Sequence, residues 1–247
     1  MVQVSNLALT YQSAEGEIEA IRDLSFSVAD GEFVSVIGPS GCGKSTLLSI
    51  IAGLLSPTAG EIRLAGDGSI GYMLQKDSLF PWRTIRRNVL LGAEIKGGGL
   101  RAAEEYADSL LKTYGLWEFR DCFPGQLSGG MRQRAAFGRT ALTGSKLLLL
   151  DEPFSALDFL TRVSMQEWLL GQWQRHRQTV LFITHDVEEA IFLSGRILVV
   201  DSTPIRRLTE VPVPLPYPRE RTMLSRPEIA ALRERLLDSL RKQVKEG

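Results

Sequence analysis

The stretch Gly38-Pro39-Ser40-Gly41-Cys42-Gly43-Lys44-Ser45-Thr46 decides the fold of this chain. A short apolar run at 32–37 precedes it and is typical of a buried strand, and a helical run at 45–54 follows it. Gly53 and the turn sequence at 56–60 end that helix. The spacing matches G-x-x-x-x-G-K-[ST] in its required strand–turn–helix setting, so the stretch is a candidate P-loop.

The composition of this loop predicts a phosphate site. Glycines permit unusual backbone angles and close approach of a ligand. Successive N–H groups then face one concavity, and the positive end of the following helix adds to the field. Lys44 would reach the β- and γ-phosphates, and Ser45 would place its hydroxyl on Mg²⁺. The alternative is an ordinary glycine-rich strand-to-helix turn, and further motifs are needed to decide.

The composition of the chain bounds its class. It has 247 residues, 44% of them apolar and 23% charged, as expected for a globular protein with one large or two small domains. The formal net charge is zero, so we expect no nucleic-acid partner. Cys42 and Cys122 form no disulfide framework, which suits a reducing cytosol, and with His176 and His185 they match no recognised zinc spacing.

Targeting and membrane signals are not visible in the sequence. The first residues lack the basic and apolar regions of a signal peptide, and no apolar run approaches the ~20 residues of a membrane span. We therefore expect a soluble chain. If it serves a membrane process, the membrane part is another polypeptide.

The order of elements predicts an α/β fold. Segments 2–10 and 24–28 alternate as half-exposed strands and indicate an antiparallel β region before the P-loop. Strands alternating with helices after position 146 indicate a parallel sheet covered on both faces. We expect a domain at 1–210, with its core at 1–80 and 146–210 and a helical insertion at 81–145. A proline-rich extended linker and a C-terminal helix then fill 211–247, the helix docked on its own core or on a partner.

An acid pair, Asp151-Glu152, closes the leucine-rich strand 147–150. This is the end of a parallel strand at which α/β sheets place ligands. Asp151 would hold Mg²⁺ through a water, and Glu152 would orient or deprotonate an attacking water. A strand ending in solvated charge is the simpler interpretation for such a pair taken alone.

The second decisive motif is Leu127-Ser128-Gly129-Gly130-Met131. Taken alone it is a serine N-cap on a glycine-weakened helix start, and an exposed helix N-terminus is also an anion site. Here the sequence resembles the ATP-binding cassette family, whose signature is L-S-G-G-Q, with Met131 in place of the glutamine. The resemblance implies that Ser128, Gly129 and Gly130 bind the γ-phosphate of ATP held by a second ATPase subunit. It also implies a head-to-tail dimer, most simply a homodimer.

The remaining motifs of the family occur in order, and each role that follows is implied by the resemblance. Tyr11 matches the aromatic that stacks on adenine, and Gln75 the glutamine that touches Mg²⁺ and the attacking water. Asp158 matches the D-loop, and His185 the switch histidine at the γ-phosphate. Tyr11 would bind ATP together with Gly38, Pro39, Ser40, Gly41, Cys42, Gly43, Lys44, Ser45 and Thr46. Glu152, His185 and Gln75 would be catalytic, and Ser45, Gln75 and Asp151 would hold Mg²⁺.

The family implies a P-loop NTPase (RecA-like) core with an N-terminal antiparallel β region and an inserted helical subdomain. The segment 77–82 and the tail segment 215–219 are similar to the nitrate, sulfonate and taurine import cassettes, and Phe80 and Trp82 then line a groove for the permease. The expected protein is the ATPase of a small-solute importer at the cytoplasmic membrane face. Its partners would be a transmembrane permease and, indirectly, a solute-binding protein. The alternatives are another transporter branch, a soluble repair or translation cassette, and a regulatory module that does not hydrolyse ATP.

Overall fold

The computed structural model describes residues 1–13, 16–65, 68–97 and 100–246. Within these residues the strands are β1 Val2–Ser13, β2 Gly16–Val28, β3 Phe33–Ile37, β4 Ala59–Leu64, β5 Ile70–Met73, β6 Leu147–Asp151, β7 Thr179–Ile183, β8 Arg196–Val200 and β9 Leu208–Pro212. The α-helices are α1 Lys44–Ile51, α2 Ile85–Lys96, α3 Leu100–Thr113, α4 Gly129–Ala141, α5 Phe159–His176, α6 Val187–Leu193 and α7 Pro227–Glu246. Short 3-10 helices lie at Trp117–Phe119, Pro124–Gln126 and Arg221–Ser225.

The chain forms two compact units, one of residues 1–68 and 170–247 and the other of residues 69–169. The boundaries expected at 80/81 and 145/146 differ from this partition and stay a prediction. In the part of the chain that the structure describes, no helix combines the length and apolar character needed to cross a membrane.

The N-terminal antiparallel region is present in the first unit. Its three strands lie in the order β2-β1-β4, and β1 pairs antiparallel with both neighbours. Leu7, Leu9, Ile21 and Leu24 are buried, whereas intervening residues face outward, as expected of a sheet covered on one face. The predicted β region before the P-loop is confirmed.

The P-loop strand β3 lies between β7 and β8, and both pairings are parallel. Every residue of β3 and β7 is buried, which explains why their sequences are nearly continuous apolar runs. The strand β9 adds an antiparallel edge to β8. The predicted mixed α/β architecture is confirmed.

The C-terminal segment packs on the first unit. Val211 lies within β9, and Val213 and Leu215 are buried although they stand between prolines. They join a core cluster with Ile37, Val187, Ala190, Ile191, Ile197 and Val199, and with Ile229, Leu232 and Leu236 of α7. The expected extended segment is therefore packed along its length, and α7 docks on its own chain.

The second unit carries helices around a small parallel pair of strands. β5 and β6 pair in parallel, and α2, α3, α4 and the first part of α5 belong to the same unit. Its interior is aromatic: Phe137 contacts the rings of Tyr114, Phe154 and Trp168 at centroid distances of 5.5–6.0 Å. In α3, Ala107, Leu110 and Leu111 are buried, whereas Tyr106 is exposed.

Candidate functional site

The P-loop joins β3 to α1, and glycine is required at its turning points. Gly43 is the N-cap of α1 and has φ 103°, and Gly41 has φ 78°. Such angles strain any residue that carries a Cβ. At Gly38 the constraint is space, because a Cβ there would come within 2.8 Å of the Val200 Cβ. Larger residues at these three positions would therefore change the path of the loop backbone.

The Lys44 ammonium lies across the loop. Its Nζ donates hydrogen bonds to the carbonyl oxygens of Gly38 at 2.9 Å and Pro39 at 2.7 Å, and the side chain is buried. Ser45 is exposed at the start of α1, where helix N–H groups and the helix dipole favour an anion. A loop shaped by glycine, with the Lys44 ammonium and the first N–H groups of a helix beside it, fits a phosphate group.

Tyr11 flanks the end of the P-loop. Its hydroxyl lies 3.1 Å from the Thr46 Oγ1, and the residue remains partly exposed near the end of β1. Tyr11 pairs with Ile18 across the β1–β2 ladder, which fixes the strand that carries the ring. The structure thus brings the predicted aromatic residue beside the predicted phosphate loop.

The acid pair stands where the buried strand β6 ends. Asp151 is its last residue and is buried, and Glu152 follows with φ 47°. A left-handed backbone is uncommon for glutamate and needs support from its surroundings. The Glu152 carbonyl oxygen accepts hydrogen bonds from the Ser155 N–H at 3.2 Å and the Ser155 Oγ at 3.0 Å.

Ser128 caps α4. Its Oγ accepts a hydrogen bond from the Met131 N–H at 3.3 Å, so the N-cap interpretation holds. Gly130 passes close to the segment after β6, because a Cβ there would lie 3.1 Å from the Ala156 carbonyl oxygen. A larger residue at this position would push the start of α4 away from that segment.

Gln133, one turn further along α4, was not found from the sequence. It is buried, its Nε2 lies 3.2 Å from the Glu152 carbonyl oxygen, and its Oε1 accepts from the Ala156 N–H at 2.9 Å. The available signal was a polar residue on the buried face of a helix. That signal names no partner, because the contact is with a segment 19–23 positions away.

Two arginines of α4 hold the segment that follows Gln75. Arg132 Nε donates to the Asp77 carboxylate at 2.8 Å, and Arg139 donates to the carbonyl oxygens of Asp77 and Ser78 at 2.9 and 2.8 Å. Gln75 itself is exposed just beyond β5. Sequence reasoning did not identify either arginine, and both link the segment after Gln75 to the helix that begins after Ser128.

Asp158 and His185 occupy loops with well-defined backbones. A hydrogen bond from Thr161 holds the pKa of Asp158 below its usual range. His185 is exposed between Thr184 and Asp186. Thr184 Oγ1 donates to the Glu189 carboxylate at 2.6 Å, and Asp186 caps α6 through the N–H groups of Glu188 and Glu189. The His185 imidazole is therefore exposed, while hydrogen bonds of Thr184 and Asp186 hold the backbone on both sides of it.

Each of the two units carries an oxygen-bearing side chain of the kind that Mg²⁺ prefers. Mg²⁺ is commonly held by one or two protein oxygens together with phosphate oxygens. Ser45 offers a hydroxyl and Asp151 a carboxylate, and both fit that chemistry. Among the described residues, no group of three or more His, Cys, Asp or Glu side chains is placed to hold a metal by itself.

Comparisons with known proteins agree with these features. The profile described as ABC transporter matches residues 21–155. The formylaminopyrimidine import ATP-binding protein ThiZ of Halalkalibacterium halodurans is 44% identical over 214 residues, covering 87% of this chain and 85% of that protein. The nitrate import ATP-binding protein NrtD of Synechocystis is 40% identical over 225 residues, covering 89% and 85%.

A solved structure extends the likeness to the fold. It is the dimeric, post-hydrolysis state of the ATP-binding cassette MJ0796 bound to ADP and Pi. Its TM-score is 0.79 at 31% identity, and the match covers 86% of this chain and 99% of that chain.

Proposed function

The chain belongs to the ABC transporter family and is an ATPase that uses ATP and Mg²⁺, and from that premise we propose that it powers import of a small solute through a separate permease. The observation that carries the proposal is the P-loop with its buried lysine on the same chain as a serine-capped signature helix. Two relatives named for import, at 40% and 44% identity, support the direction of transport.

In this proposal the first unit supplies the groups that hold ATP. Tyr11 stacks on adenine, and the backbone of Gly38, Pro39, Ser40, Gly41, Cys42 and Gly43 surrounds the phosphates. Lys44 exchanges its carbonyl partners for phosphate oxygens, whose negative charge makes their hydrogen bonds to the ammonium stronger. Thr46 and Ser45 follow in the first turn of α1, where the helix dipole favours the negative charge.

Hydrolysis is assigned to three residues. Glu152 takes a proton from the attacking water, and Gln75 orients that water. His185 contacts the γ-phosphate and stabilises the charge that develops there. Ser45, Asp151 and Gln75 would hold Mg²⁺, which neutralises phosphate charge when bound. Asp158 is assigned to the D-loop.

The partners follow from the second unit. Ser128, Gly129 and Gly130 would bind the γ-phosphate of ATP on a second ATPase subunit, in agreement with the dimeric state of the structural relative.

Trp82 is 72% exposed and its ring stacks on Phe80 at 5.1 Å, so these residues offer an aromatic surface to a permease helix. Trp82→Ala should reduce recovery of the chain with membranes that contain the permease, whereas parental recovery would remove Trp82 from this role.

The solute proposed is of the nitrate, sulfonate or taurine kind. The support is the sequence at 77–82 and 215–219 and the relative named for nitrate import. A solute-binding protein would deliver the solute, and the chain would act at the cytoplasmic face of the membrane. Measuring which solutes stimulate the ATPase of the complete transporter tests this choice. Stimulation by an unrelated solute alone would contradict it.

The experiment that tests the ATPase assignment is Glu152→Gln. We expect ATP to bind and hydrolysis to slow by roughly 10²–10⁴-fold, the range for a lost general base. The variant should also accumulate as a closed dimer with ATP, which size-exclusion chromatography with and without ATP would detect. Near-parental turnover would remove Glu152 from the role.

A further inference from the structure

A single buried amide connects two parts of the second unit, helix α4 and the turn that follows β6. The Gln133 side chain projects from α4, whose first turn carries the signature glycines. Its Nε2 reaches the Glu152 carbonyl oxygen at 3.2 Å and the Ser155 Oγ at 3.3 Å, and its Oε1 accepts from the Ala156 N–H at 2.9 Å. Both ends of the amide are therefore used, and the residue is only 4% exposed.

The Glu152 backbone needs such support. Its φ of 47° is one that L-residues seldom adopt, and such positions persist only where neighbouring groups hold them. Ser155 also bonds the Glu152 carbonyl oxygen, through its N–H and its Oγ, and it belongs to the same short turn. Gln133, by contrast, connects this turn to a helix that lies 19–23 positions away in sequence.

We propose that Gln133 is a positioning residue for hydrolysis, which sets the Glu152 backbone relative to the signature helix. The inference rests on the proposed role of Glu152 as the base. Ser128 and Glu152 are proposed to serve different nucleotides of the dimer although they belong to one chain. The Gln133 amide therefore links the two ATP sites: a movement of α4 at the partner's phosphate is transmitted to the base of the chain's own site.

The test compares Gln133→Met with Thr140→Val in the full chain with Mg²⁺ and ATP. Methionine keeps the length of the side chain and removes both hydrogen-bonding ends. Thr140 is a matched control on the same helix, because it is buried and its hydroxyl donates only within α4, to the Ala136 carbonyl oxygen at 3.1 Å. For Gln133→Met we expect kcat to fall about 10–100-fold, as for a misplaced catalytic group, while KM for ATP changes less than about threefold. Thr140→Val should keep kcat within about twofold.

A double variant, Glu152→Gln with Gln133→Met, tests whether Gln133 acts through Glu152. Residues that work as a unit are not additive, so Gln133→Met should lower kcat by less than about twofold when added to Glu152→Gln. Gln133→Asn provides a second single variant, whose shorter amide cannot span both partners and should also lower kcat.

The outcomes that overturn the inference are distinct from those that overturn the proposed function. Parental kcat in a folded Gln133 variant, an equal loss in Thr140→Val, or a multiplicative loss in the double variant each reject the positioning role. Failure of both Gln133 variants to fold would make it a residue of the fold and reject the role as well. Parental kcat in Glu152→Gln would reject both proposals, whereas an inactive Glu152→Gln beside an active Gln133→Met rejects only the inference.

Discussion

Tyr11 combines two features whose contributions to ATP binding can be separated, the ring and the hydroxyl. The hydroxyl lies 3.1 Å from Thr46 Oγ1 at an exposed position, where water can replace either partner. We therefore expect Tyr11→Phe to weaken ATP binding by less than about 1 kcal/mol. Tyr11→Ala removes the stacking surface and should cost about 1–3 kcal/mol. Calorimetric titration with ATP measures both, and equal losses would show that the hydroxyl matters and that the stacking interpretation is wrong.

Lys44 shows what sequence can and cannot give at the scale of one residue. The P-loop spacing predicted which residue would meet phosphate, because that chemistry needs a cation at a fixed offset from the glycines. The spacing did not show that the ammonium bonds the Gly38 and Pro39 carbonyl oxygens, since that depends on the path of the backbone through the loop. Gln133 is the stronger case, because its partners are distant in sequence and no local pattern encodes them.

Among the elements, α6 has an unusual C-terminal partner. The buried Arg219 guanidinium donates to the carbonyl oxygens of Ile191, Phe192 and Ser194 at 2.8–3.1 Å, and to that of Leu215 at 3.0 Å. Carbonyl groups at a helix C-terminus lack partners within the helix, and a cation there is favoured by the dipole. Arg219 therefore holds the end of the helix that begins two residues after His185.

Removing this cap should destabilise the first unit. Arg219→Leu leaves buried carbonyl oxygens without donors, and we expect a loss of about 2–4 kcal/mol in the free energy of unfolding. The melting temperature should fall by roughly 5–15 °C, measured by circular dichroism. Arg226 is an exposed arginine nearby and supplies the control: Arg226→Gln should stay within about 0.5 kcal/mol of the parent. Equal melting of Arg219→Leu and the parent would contradict the capping role.

The strands and helices were predictable where a continuous run of apolar residues indicates burial. β3 is apolar except for Ser35 and β6 except for its last residue, Asp151, and each lies where the sequence predicted it. The ends of α5, at Phe159 and His176, were harder to predict, because helix ends depend on capping contacts such as the Asp158–Thr161 hydrogen bond. The prolines after Val211 predicted an extended linker, yet Val213 and Leu215 are buried. Its packing comes from α6, β8 and α7, which local composition does not describe.

For the whole molecule, the P-loop and the signature belong to different units of the chain. The loop lies in the unit of residues 1–68 and 170–247, and Ser128 lies in the unit of residues 69–169. The proposed dimer opposes the P-loop of one chain to Ser128 of the other, so each ATP site draws on two polypeptides. A lesion in the loop and a lesion in the signature then fall on the same site only when they are on different chains.

The final prediction uses that arrangement in mixed dimers. One chain carries Lys44→Ala, which removes the phosphate cation, and the other carries Ser128→Arg, which fills the anion site at the start of α4. Each homodimer should be inactive, because both of its sites carry a lesion. In the mixed dimer one site carries both lesions and the other pairs an intact P-loop with an intact signature. We expect ATPase activity to return on mixing, up to the level of a control dimer built with one intact site. The assay is best made on the assembled transporter, with differently tagged chains to show that mixed dimers form. If they form, the control is active and no activity returns, then Ser128 does not serve the nucleotide of the second chain.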